Sequence, residues 1–481
     1  MAILLAVAIV TRGPLYGNPV AHLDDQFYLL VGQSMLHGEM PYVDLWDRKP
    51  IGLFIIYAAI AALGGNAVLM VQISATAFAT ATAYVIASIG NRLAPQPGGL
   101  LAGIVYLFIL PTLSGGSGQS PIFYNLPMAI AGLISLRAVQ SSSTNGARFA
   151  MLLVGVALAI KPVAMFEGIW FALVFLAIEW HQTLSARRIV LAALPMMALA
   201  LMPTAAAFAT YAVLGHVGDI WNATVVSVFN KAPLPHQQWI ILLGVMLLKL
   251  ALPLAVAATS LALLARTHRA VFWFMSGWIL AAGLGVASVP NFFDHYALPF
   301  LVPMCVITAP LLSSRFIGWA RTGALILWST DLSPNTFRYD GFQRAAKFDR
   351  VVTLVRRNLH GGCLYVYEGP VQLYNSTGAC RETRFVFPDH LNSSIEAHSL
   401  PVDQVEEITR IFSKRPAVVV EAKRIFLEES ADSRTMLKRE LDCNYRRLAT
   451  VSDSGTFFSQ PLTIWFRRDG WRICPLLPPV L

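Results

Sequence analysis

The sequence predicts a polytopic α-helical membrane protein that ends in a water-soluble α/β domain. Hydrophobic residues make up 56% of the 481 residues and charged residues only 13%. Apolar surface on that scale has to face lipid. The charges are also segregated, because residues 1–330 hold 15 basic and 9 acidic residues, whereas residues 331–481 hold 21 and 18. The last part of the chain is therefore expected to fold in water.

The net charge of +9 does not indicate a nucleic-acid partner. The basic residues are scattered through short loops and through a tail whose charges nearly balance, and they form no stripe of Lys and Arg. We expect no nucleic acid and no cofactor. The membrane itself is the first partner that the composition predicts.

Twelve apolar runs are candidate membrane helices. The run Met1–Val10 is too short for a span of about 20 residues, so either its helix continues through Thr11 and Arg12 or the true start lies upstream. The others lie at about 51–64, 67–90, 100–112, 124–140, 149–160, 163–180, 189–214, 239–265, 271–289, 296–312 and 316–328. A helix over 51–64 would rise only about 21 Å against a hydrocarbon thickness of about 30 Å.

The basic loops set the expected orientation. The positive-inside rule places short basic loops in the cytoplasm, here those at Arg187, Arg188, Arg266, Arg269 and Arg315. If all twelve runs cross, the loop over 13–50 and the tail face opposite sides. If 51–64 enters the membrane without crossing, both face outward. We therefore expect eleven spans within residues 1–329, an external first loop over 13–50 and an external domain over 330–481.

The tail shows alternating strand and helix patterns. Strands are expected at 363–367 and 416–421 and helices at 340–359 and 400–413. A closing hairpin is expected from Thr456–Phe458 and Leu462–Arg467. These elements predict a small α/β domain, whose strand order the pattern does not give.

Four of the five cysteines lie in the tail, at Cys363, Cys380, Cys443 and Cys474, whereas Cys305 lies in an apolar run. An even set suits two disulfides if the tail faces an oxidising compartment. The alternative is four free thiols in a reduced tail.

The first loop concentrates acidic residues. Five of the nine in residues 1–330 lie there, namely Asp24, Asp25, Glu39, Asp44 and Asp47, next to Arg48 and Lys49. Carboxylates gathered at one place in a membrane protein indicate a site. Asp24 and Tyr28 have i,i+4 spacing, so a helix beginning near Asp24 would place both on one face, with the carboxylate at the positive end of the helix dipole.

That arrangement predicts acid–base chemistry. An ionised Asp24 would accept a proton from an attacking hydroxyl, and Lys49 and Arg48 would offer cations to a phosphate leaving group. The alternative is that Asp24 is a helix N-cap and the surrounding charges sit in the headgroup layer.

These residues carry a resemblance to a known family. The pattern Asp24-Asp25-x-x-Tyr28, then Gly-Glu-x-Pro-Tyr, then Trp46-Asp47-Arg48-Lys49-Pro50 resembles the first external loop of bacterial polyprenyl-phosphate-dependent glycosyltransferases of the GT-C superfamily. The relatives are the protein O-mannosyltransferase-like and aminoarabinose-transferase-like proteins. The later run Asp294-His295-Tyr296-x-x-Pro299 is similar to a His-Tyr…Pro signature of the same family.

The resemblance implies a fold and an activity. It implies a GT-C-like bundle in which Asp24 is catalytic and Lys49 binds the donor phosphate. The implied reaction is an inverting transfer of a hexose or pentose from a polyprenyl-phosphate donor to a cell-envelope acceptor. The acceptor would be lipid A, lipopolysaccharide core, an exopolysaccharide or a protein hydroxyl, on the periplasmic side of a bacterial inner membrane. The candidate substrate-binding residues are Asp25, Tyr28, Asp47, Asp294, His295 and Tyr296.

Two departures from the family pattern bear on the chemistry. Arg48 stands where aminoarabinose-transferase-like relatives have Glu, and the second external loop, Ser114–Asn125, lacks the usual acidic residue. We therefore expect no metal, with Arg48 serving as counter-charge for the phosphate. Lys161, beside Pro162, either reaches the phosphate as well or extends to the interface. The stretch Gly115–Gly118 is expected to be a flexible loop on the acceptor side.

Two other functions compete with transfer. A flippase or transporter for lipid-linked sugars is expected to show internal repeats and charges near mid-membrane, and neither an obvious repeat nor more than a few such charges are present. A scaffold whose outer tail recruits a cell-envelope polymerase is the third alternative. Glu167 and Lys249, inside apolar runs, are expected to pair within the bundle or to belong to a site.

Overall fold

A computed structural model of the chain describes residues 1–289, 291–333, 337–422, 428–455, 461–470, 472 and 474. All twelve apolar runs are helical. The helices up to the C-terminal domain are α1 (Ala2–Arg12), α2 (Leu23–Leu36), α3 (Ile51–Ala61), α4 (Ala67–Leu93), α5 (Gly98–Thr112), α6 (Ser120–Ser141), α7 (Ala147–Ile160), α8 (Met165–Thr183), α9 (Ala186–Val213), α10 (Val217–Trp221), α11 (Ser227–Asn230), α12 (His236–Thr267), α13 (Arg269–Ala287), α14 (Leu301–Leu312) and α15 (Ile317–Asp331).

Helix length and composition distinguish two groups. Among the described residues, six helices are long and apolar enough to cross a membrane: α4, α6, α8 with the turn before it, α9, α12 and α13. Shorter apolar helices are α1 with its extension to Leu15, α3, α5, α7 and α14. With 11 residues, α3 rises only about 16 Å, against a hydrocarbon thickness of about 30 Å. Because α1, with 11 residues, and α14, with 12, are about as short, helix length does not set α3 apart, and the count of eleven spans stays a prediction.

The first loop, residues 13–50, contains helix α2, and residues 37–50 lead from it into α3. Helix α2 begins at Leu23, which places Asp24 and Asp25 in its first turn, as the i,i+4 spacing predicts. Helices α2 and α3 touch backbone to backbone, because a Cβ on Gly32 would lie 2.7 Å from the Ala58 nitrogen. The turn between them is closed by a hydrogen bond from Tyr42 N–H to the Leu45 carbonyl at 2.6 Å. Asp24 and the Asp47–Lys49 segment are thereby held on one compact unit.

The C-terminal domain is the predicted α/β fold. Its strands β1 (Leu364–Val366), β2 (Val418–Ala422), β3 (Tyr445–Val451) and β4 (Leu462–Arg467) form one sheet in the order β1-β2-β4-β3. Only the β1–β2 pair is parallel, with Tyr365 opposite Val419. Its helices are α16 (Gly341–Leu359), α17 (Gln372–Thr377), α18 (Pro388–Asn392), α19 (Gln404–Ser413) and α20 (Ala431–Asn444).

The two expected strands and two expected helices of this domain are present, with small shifts at their ends. In the expected hairpin, Leu462–Arg467 is β4, whereas Thr456–Phe458 lies outside the described residues. The described partner strand of β4 on that side is β3, which the sequence analysis did not predict.

The four tail cysteines form two disulfides, Cys363–Cys380 and Cys443–Cys474, and Cys305 is a buried free thiol. The number of disulfides is the one expected of a tail in an oxidising compartment, and the alternative of four free thiols is not observed; the sequence did not predict which cysteines pair.

The C-terminal domain packs directly on the first loop. The Trp46 N–H donates to the Arg384 carbonyl at 3.0 Å, and the indole of Trp46 contacts Phe385. Phe27 of α2 meets Phe387 edge to face at 5.4 Å between ring centroids. The loop and the domain therefore lie on the same side of the bundle, as the argument from span parity requires.

Candidate active site at the first loop

Asp24 is the centre of the candidate site. It lies half-buried in the first turn of α2, and its Oδ2 accepts a hydrogen bond from the Gln119 amide at 3.1 Å. Its electrostatic partners are Lys49, His295 and Lys161. Residues from four separate segments of the chain therefore meet at one carboxylate.

Lys49 is held next to Asp24 by the loop backbone. The Asp47 carboxylate accepts from the Lys49 N–H at 2.9 Å, which closes a local turn, and the Tyr42 hydroxyl donates to the Lys49 carbonyl at 2.8 Å. Both Asp47 and Tyr42 are buried, so this geometry is fixed by packing. Pro50 is the N-cap of α3, which directs the chain back into the bundle.

Lys161 reaches the same place from the break between α7 and α8. Its Nζ lies 4.5 Å from the centroid of the Tyr296 ring, a cation–π contact, and Lys49 and Asp24 are its electrostatic neighbours. Lys161 therefore lies near Asp24 and Lys49, and its binding of the donor phosphate stays a prediction. His295 lies beside Tyr296, with ring centroids 4.5 Å apart.

The electrostatics distinguish Asp24 from the other buried carboxyls of the loop. Burial alone would raise the pKa of Asp24, but the Lys49 ammonium lowers it most, followed by His295, the Gln119 hydrogen bond and Lys161, so that it lies below its ordinary value. Burial raises the pKa of Asp25 and likewise that of Asp47. Of these three carboxyls, Asp24 is the one whose ionised form the surroundings favour.

The basic residues of the site also differ from each other in pKa. Burial opposes the charge of Lys49, but Asp24 and Asp47 raise its pKa above the ordinary value. Burial together with the neighbouring Lys49 lowers the pKa of Lys161 to about 7. Burial lowers the pKa of His295 to about 3, which leaves a neutral imidazole at neutral pH.

Asp25 and Tyr28 lie behind Asp24. Asp25 Oδ2 accepts the Gly118 N–H at 2.9 Å and its Oδ1 lies 3.4 Å from the Tyr57 hydroxyl, so Asp25 secures the second loop. The Tyr28 hydroxyl is buried and makes no hydrogen bond within the part of the chain that the structure describes. Asp24, Asp25 and Asp47 are its electrostatic neighbours.

Arg48 was expected to be a counter-charge for the donor phosphate, but in the structure it pairs with the C-terminal domain. Its guanidinium forms a two-point ion pair with Glu396 of the C-terminal domain, one bond being 2.9 Å, and donates to Ser399 at 3.1 Å. Lys231 also pairs with Glu396, at 2.7 Å. The Glu396 carboxylate is thus shared by Arg48 and Lys231, and the lysines that act on Asp24 are Lys49 and Lys161.

Asp294 is also engaged elsewhere. Its Oδ2 accepts from Lys249 Nζ at 2.6 Å, and Lys249 also donates to the Thr112 carbonyl at 2.9 Å. Glu167 accepts from Trp278 Nε1 at 2.6 Å, so Glu167 and Lys249 do not pair with each other, which was one of the two alternatives expected for them. Asp294 therefore anchors α12, whereas its neighbours His295 and Tyr296 face the site.

Gln119 was not predicted as a site residue from the sequence, and the loop before it differs from the prediction. The stretch Gly115–Gly118 was expected to be flexible, but Arg12 donates to the carbonyls of Gly115 and Ser117, the latter at 2.9 Å. Tyr57 donates to the Gly118 carbonyl at 2.7 Å. A glycine is required at 118, because a Cβ there would collide with the Tyr57 hydroxyl. The usable signal was Arg12, a cation at the end of an apolar run.

A metal centre was not expected, and the described residues contain no group of three or more His, Cys, Asp or Glu side chains placed to hold a metal ion together. The groups that surround Asp24 are the Gln119 amide, His295 and the two lysines, Lys49 and Lys161, whose positive charges would attract an anion.

The overall fold is similar to two crystal structures of ArnT from Cupriavidus metallidurans, one bound to undecaprenyl phosphate and one in the apo state. The TM-scores are 0.62 and 0.59 at 12% identity, over 96% of this chain and 97% of ArnT. The Archaeoglobus fulgidus oligosaccharyltransferase complex with Zn and sulfate aligns at a TM-score of 0.48 and 10% identity, over 88% of this chain and 67% of that one. No protein-family model and no curated protein sequence matches the chain.

The likeness to ArnT spans both the helical bundle and the C-terminal domain. The GT-C-like fold expected from the sequence is thereby confirmed, and the chain is an integral membrane protein. Identity of 12% carries the fold and nothing beyond it, so the chemistry has to be argued from the residues around Asp24.

Proposed function

We propose that this chain is an inverting glycosyltransferase that moves a sugar from a polyprenyl-phosphate donor to a cell-envelope acceptor. The observation that carries the proposal is the grouping of one ionised carboxylate, Asp24, with two lysines, Lys49 and Lys161, at the loop-bearing end of a GT-C-like bundle. ArnT, which shares that fold, has been crystallised with undecaprenyl phosphate.

The reaction is a single displacement at the anomeric carbon. The acceptor oxygen attacks from the face opposite the phosphate while Asp24 takes its proton. The bond from the anomeric carbon to the phosphate oxygen breaks, and its electron pair leaves on the polyprenyl phosphate. One base suffices because the leaving phosphate needs no protonation, unlike the alkoxide in glycoside hydrolysis.

The two lysines stabilise the negative charge that develops on the leaving phosphate. A sugar phosphodiester carries one negative charge, and the released phosphate gains a second, so Lys49 and Lys161 interact more strongly with the transition state than with the bound donor. The neutral His295 and the Tyr296 ring border this cradle and are positioned to contact the sugar or the phosphate. In this proposal Asp25 and Asp47 shape the site through backbone hydrogen bonds, and the buried Tyr28 hydroxyl faces the same carboxylates.

Localisation follows from the same features. Disulfides persist in oxidising compartments, and both disulfides lie in the domain that packs on the first loop. We propose that residues 1–329 form the membrane domain of a bacterial inner-membrane protein, and that the first loop and residues 330–481 face the periplasm.

The experiment uses the full chain reconstituted in vesicles with a radiolabelled polyprenyl-phosphate sugar and an envelope glycolipid fraction as acceptor. Label that moves to the acceptor with inverted anomeric configuration is the expected result. Label that crosses the membrane on its original lipid would identify a flippase, and neither movement would favour the scaffold. Comparing the envelope glycans of a deletion strain and a complemented strain then identifies the acceptor.

A further inference from the structure

Gln119 is the residue before α6, and it reaches Asp24 from the second loop. It is 4% exposed, and its Nε2 donates to Asp24 Oδ2 at 3.1 Å. The contact joins segments 95 residues apart. Because the side chain is a neutral amide, it stabilises the carboxylate without bringing a second charge beside it.

The backbone that presents Gln119 is fixed from several directions. The guanidinium of Arg12, fully buried at the end of α1, holds the carbonyls of Gly115 and Ser117 and donates to Thr76 Oγ1 at 3.2 Å. Asp25 accepts the N–H of Gly118, and Tyr57 donates to its carbonyl. Gln119 therefore starts from a preorganised position, and forming its bond to Asp24 needs little ordering of the chain.

Resting on the proposed function, we infer that Gln119 is a positioning residue that fixes the general base Asp24 by occupying Oδ2, so that the carboxylate plane and its other oxygen are set for the acceptor hydroxyl. The buried Arg12 acts through the same loop. General-base catalysis depends on placing the base within hydrogen-bond reach of the proton that it removes. A rotating Asp24 would lose part of that geometry.

The identity of the residue at 119 also controls the charge of the site. The titratable groups that interact with Asp24 are Lys49, Lys161, His295, Asp25, Asp47, Tyr28 and Tyr57. A glutamate at 119 would have nearly the shape of glutamine and would place a second carboxylate at about 3 Å from Asp24, and two such groups do not both ionise easily. The Gln119→Glu variant therefore tests charge with little change in packing, and Gln119→Leu tests loss of the bond without added charge.

The first measurement requires no substrate. Infrared difference spectroscopy of the full-length protein follows the protonated-carboxyl band as pH is lowered, and its loss in Asp24→Asn assigns the band to Asp24. We expect the Asp24 titration to move upward by about one pH unit in Gln119→Leu, as loss of a charge-assisted hydrogen bond implies, and further in Gln119→Glu. Gln140→Glu, an exposed position at the other end of α6, should leave it unchanged.

The second measurement is the pH profile of transfer by the same variants. In Gln119→Glu the acid limb of kcat/KM should move to higher pH, and kcat at neutral pH should fall about tenfold or more, with the donor KM within about twofold of wild type. An Asp24 titration and a kcat that both stay at wild-type values in the two Gln119 variants would overturn the inference while leaving the proposed function intact. A wild type that transfers no sugar, although the titration shifts, would overturn the proposed function and with it the catalytic meaning of this bond.

Discussion

Replacing Glu396 with glutamine removes the carboxylate that ties two loops of the membrane domain to the C-terminal domain. Glu396 is 2% exposed as a side chain and pairs with Arg48 and Lys231, whose side chains are 16% and 20% exposed. The glutamine variant leaves both cations largely buried without a counter-charge. Breaking a buried ion pair by removing one partner costs about 3–5 kcal/mol, and the residual exposure of the cations favours the lower end of that range.

The expected loss in unfolding free energy is therefore about 3 kcal/mol. The assay is thermal or chemical unfolding of the detergent-solubilised protein, with Glu406→Gln, an exposed carboxylate of the same domain, as the matched control. Because Lys49 follows Arg48 directly, the variant should also raise the donor KM about tenfold, the equivalent of about 1.4 kcal/mol of binding.

Glu396 should also make the unfolding free energy depend on pH. Burial alone would raise the pKa of Glu396, but Arg48 and Lys231 hold it well below its ordinary value. A carboxyl whose pKa is depressed in the folded state contributes stability that is present at neutral pH and is lost as pH falls below about 4.3. If the unfolding free energy of Glu396→Gln lies within about 0.5 kcal/mol of wild type, the ion pair does not stabilise the fold. The same conclusion follows if the effects of Glu396→Gln and Arg48→Met on the unfolding free energy are additive.

Three further predictions concern the site and the disulfides. Lys161→Met should raise the donor KM about tenfold below pH 7, and the difference should shrink at higher pH, because wild-type Lys161, with a pKa of about 7, then loses its proton; steady-state kinetics across pH check this. Asp294→Asn should destabilise the fold by about 2 kcal/mol, because it leaves the buried Lys249 without a counter-charge. The donor KM should not change, and a raised KM would indicate that Asp294 contributes to donor binding. Cys363→Ser should lower the unfolding free energy by about 3 kcal/mol through loss of the bond to Cys380, which closes a 17-residue separation; equal stability of the variant and the wild type would contradict this.

The features that depend on local sequence pattern could be predicted. Apolar runs marked the helices because lipid-facing surface has to be apolar, and β-rich runs marked β1 and β2. The helix start that was considered near Asp24 is found at Leu23. The cluster of acids in the first loop correctly located the place where the candidate site residues gather, although their catalytic roles stay predictions.

The features that depend on distant partners could not be predicted. Arg48 looked like a phosphate ligand because it precedes Lys49, but its partner Glu396 lies 348 positions away, in an unremarkable stretch of the tail. Gln119 carries no charge and matches no motif, so the sequence showed only that the second loop lacks the acidic residue of the family pattern. The flexibility inferred from the glycines was wrong because glycine here permits close packing against Tyr57, which only the fold shows.

The most direct measurement is sugar transfer by purified Asp24→Asn protein, compared with wild type and with Asp44→Asn. Asp44 is a carboxylate of the same loop that instead accepts the Met40 N–H at 2.7 Å. We predict that Asp24→Asn stays folded and binds the donor, and that its kcat falls about 10²- to 10⁴-fold, the usual share of a general base, while Asp44→Asn keeps normal turnover. Normal turnover by Asp24→Asn would contradict the account.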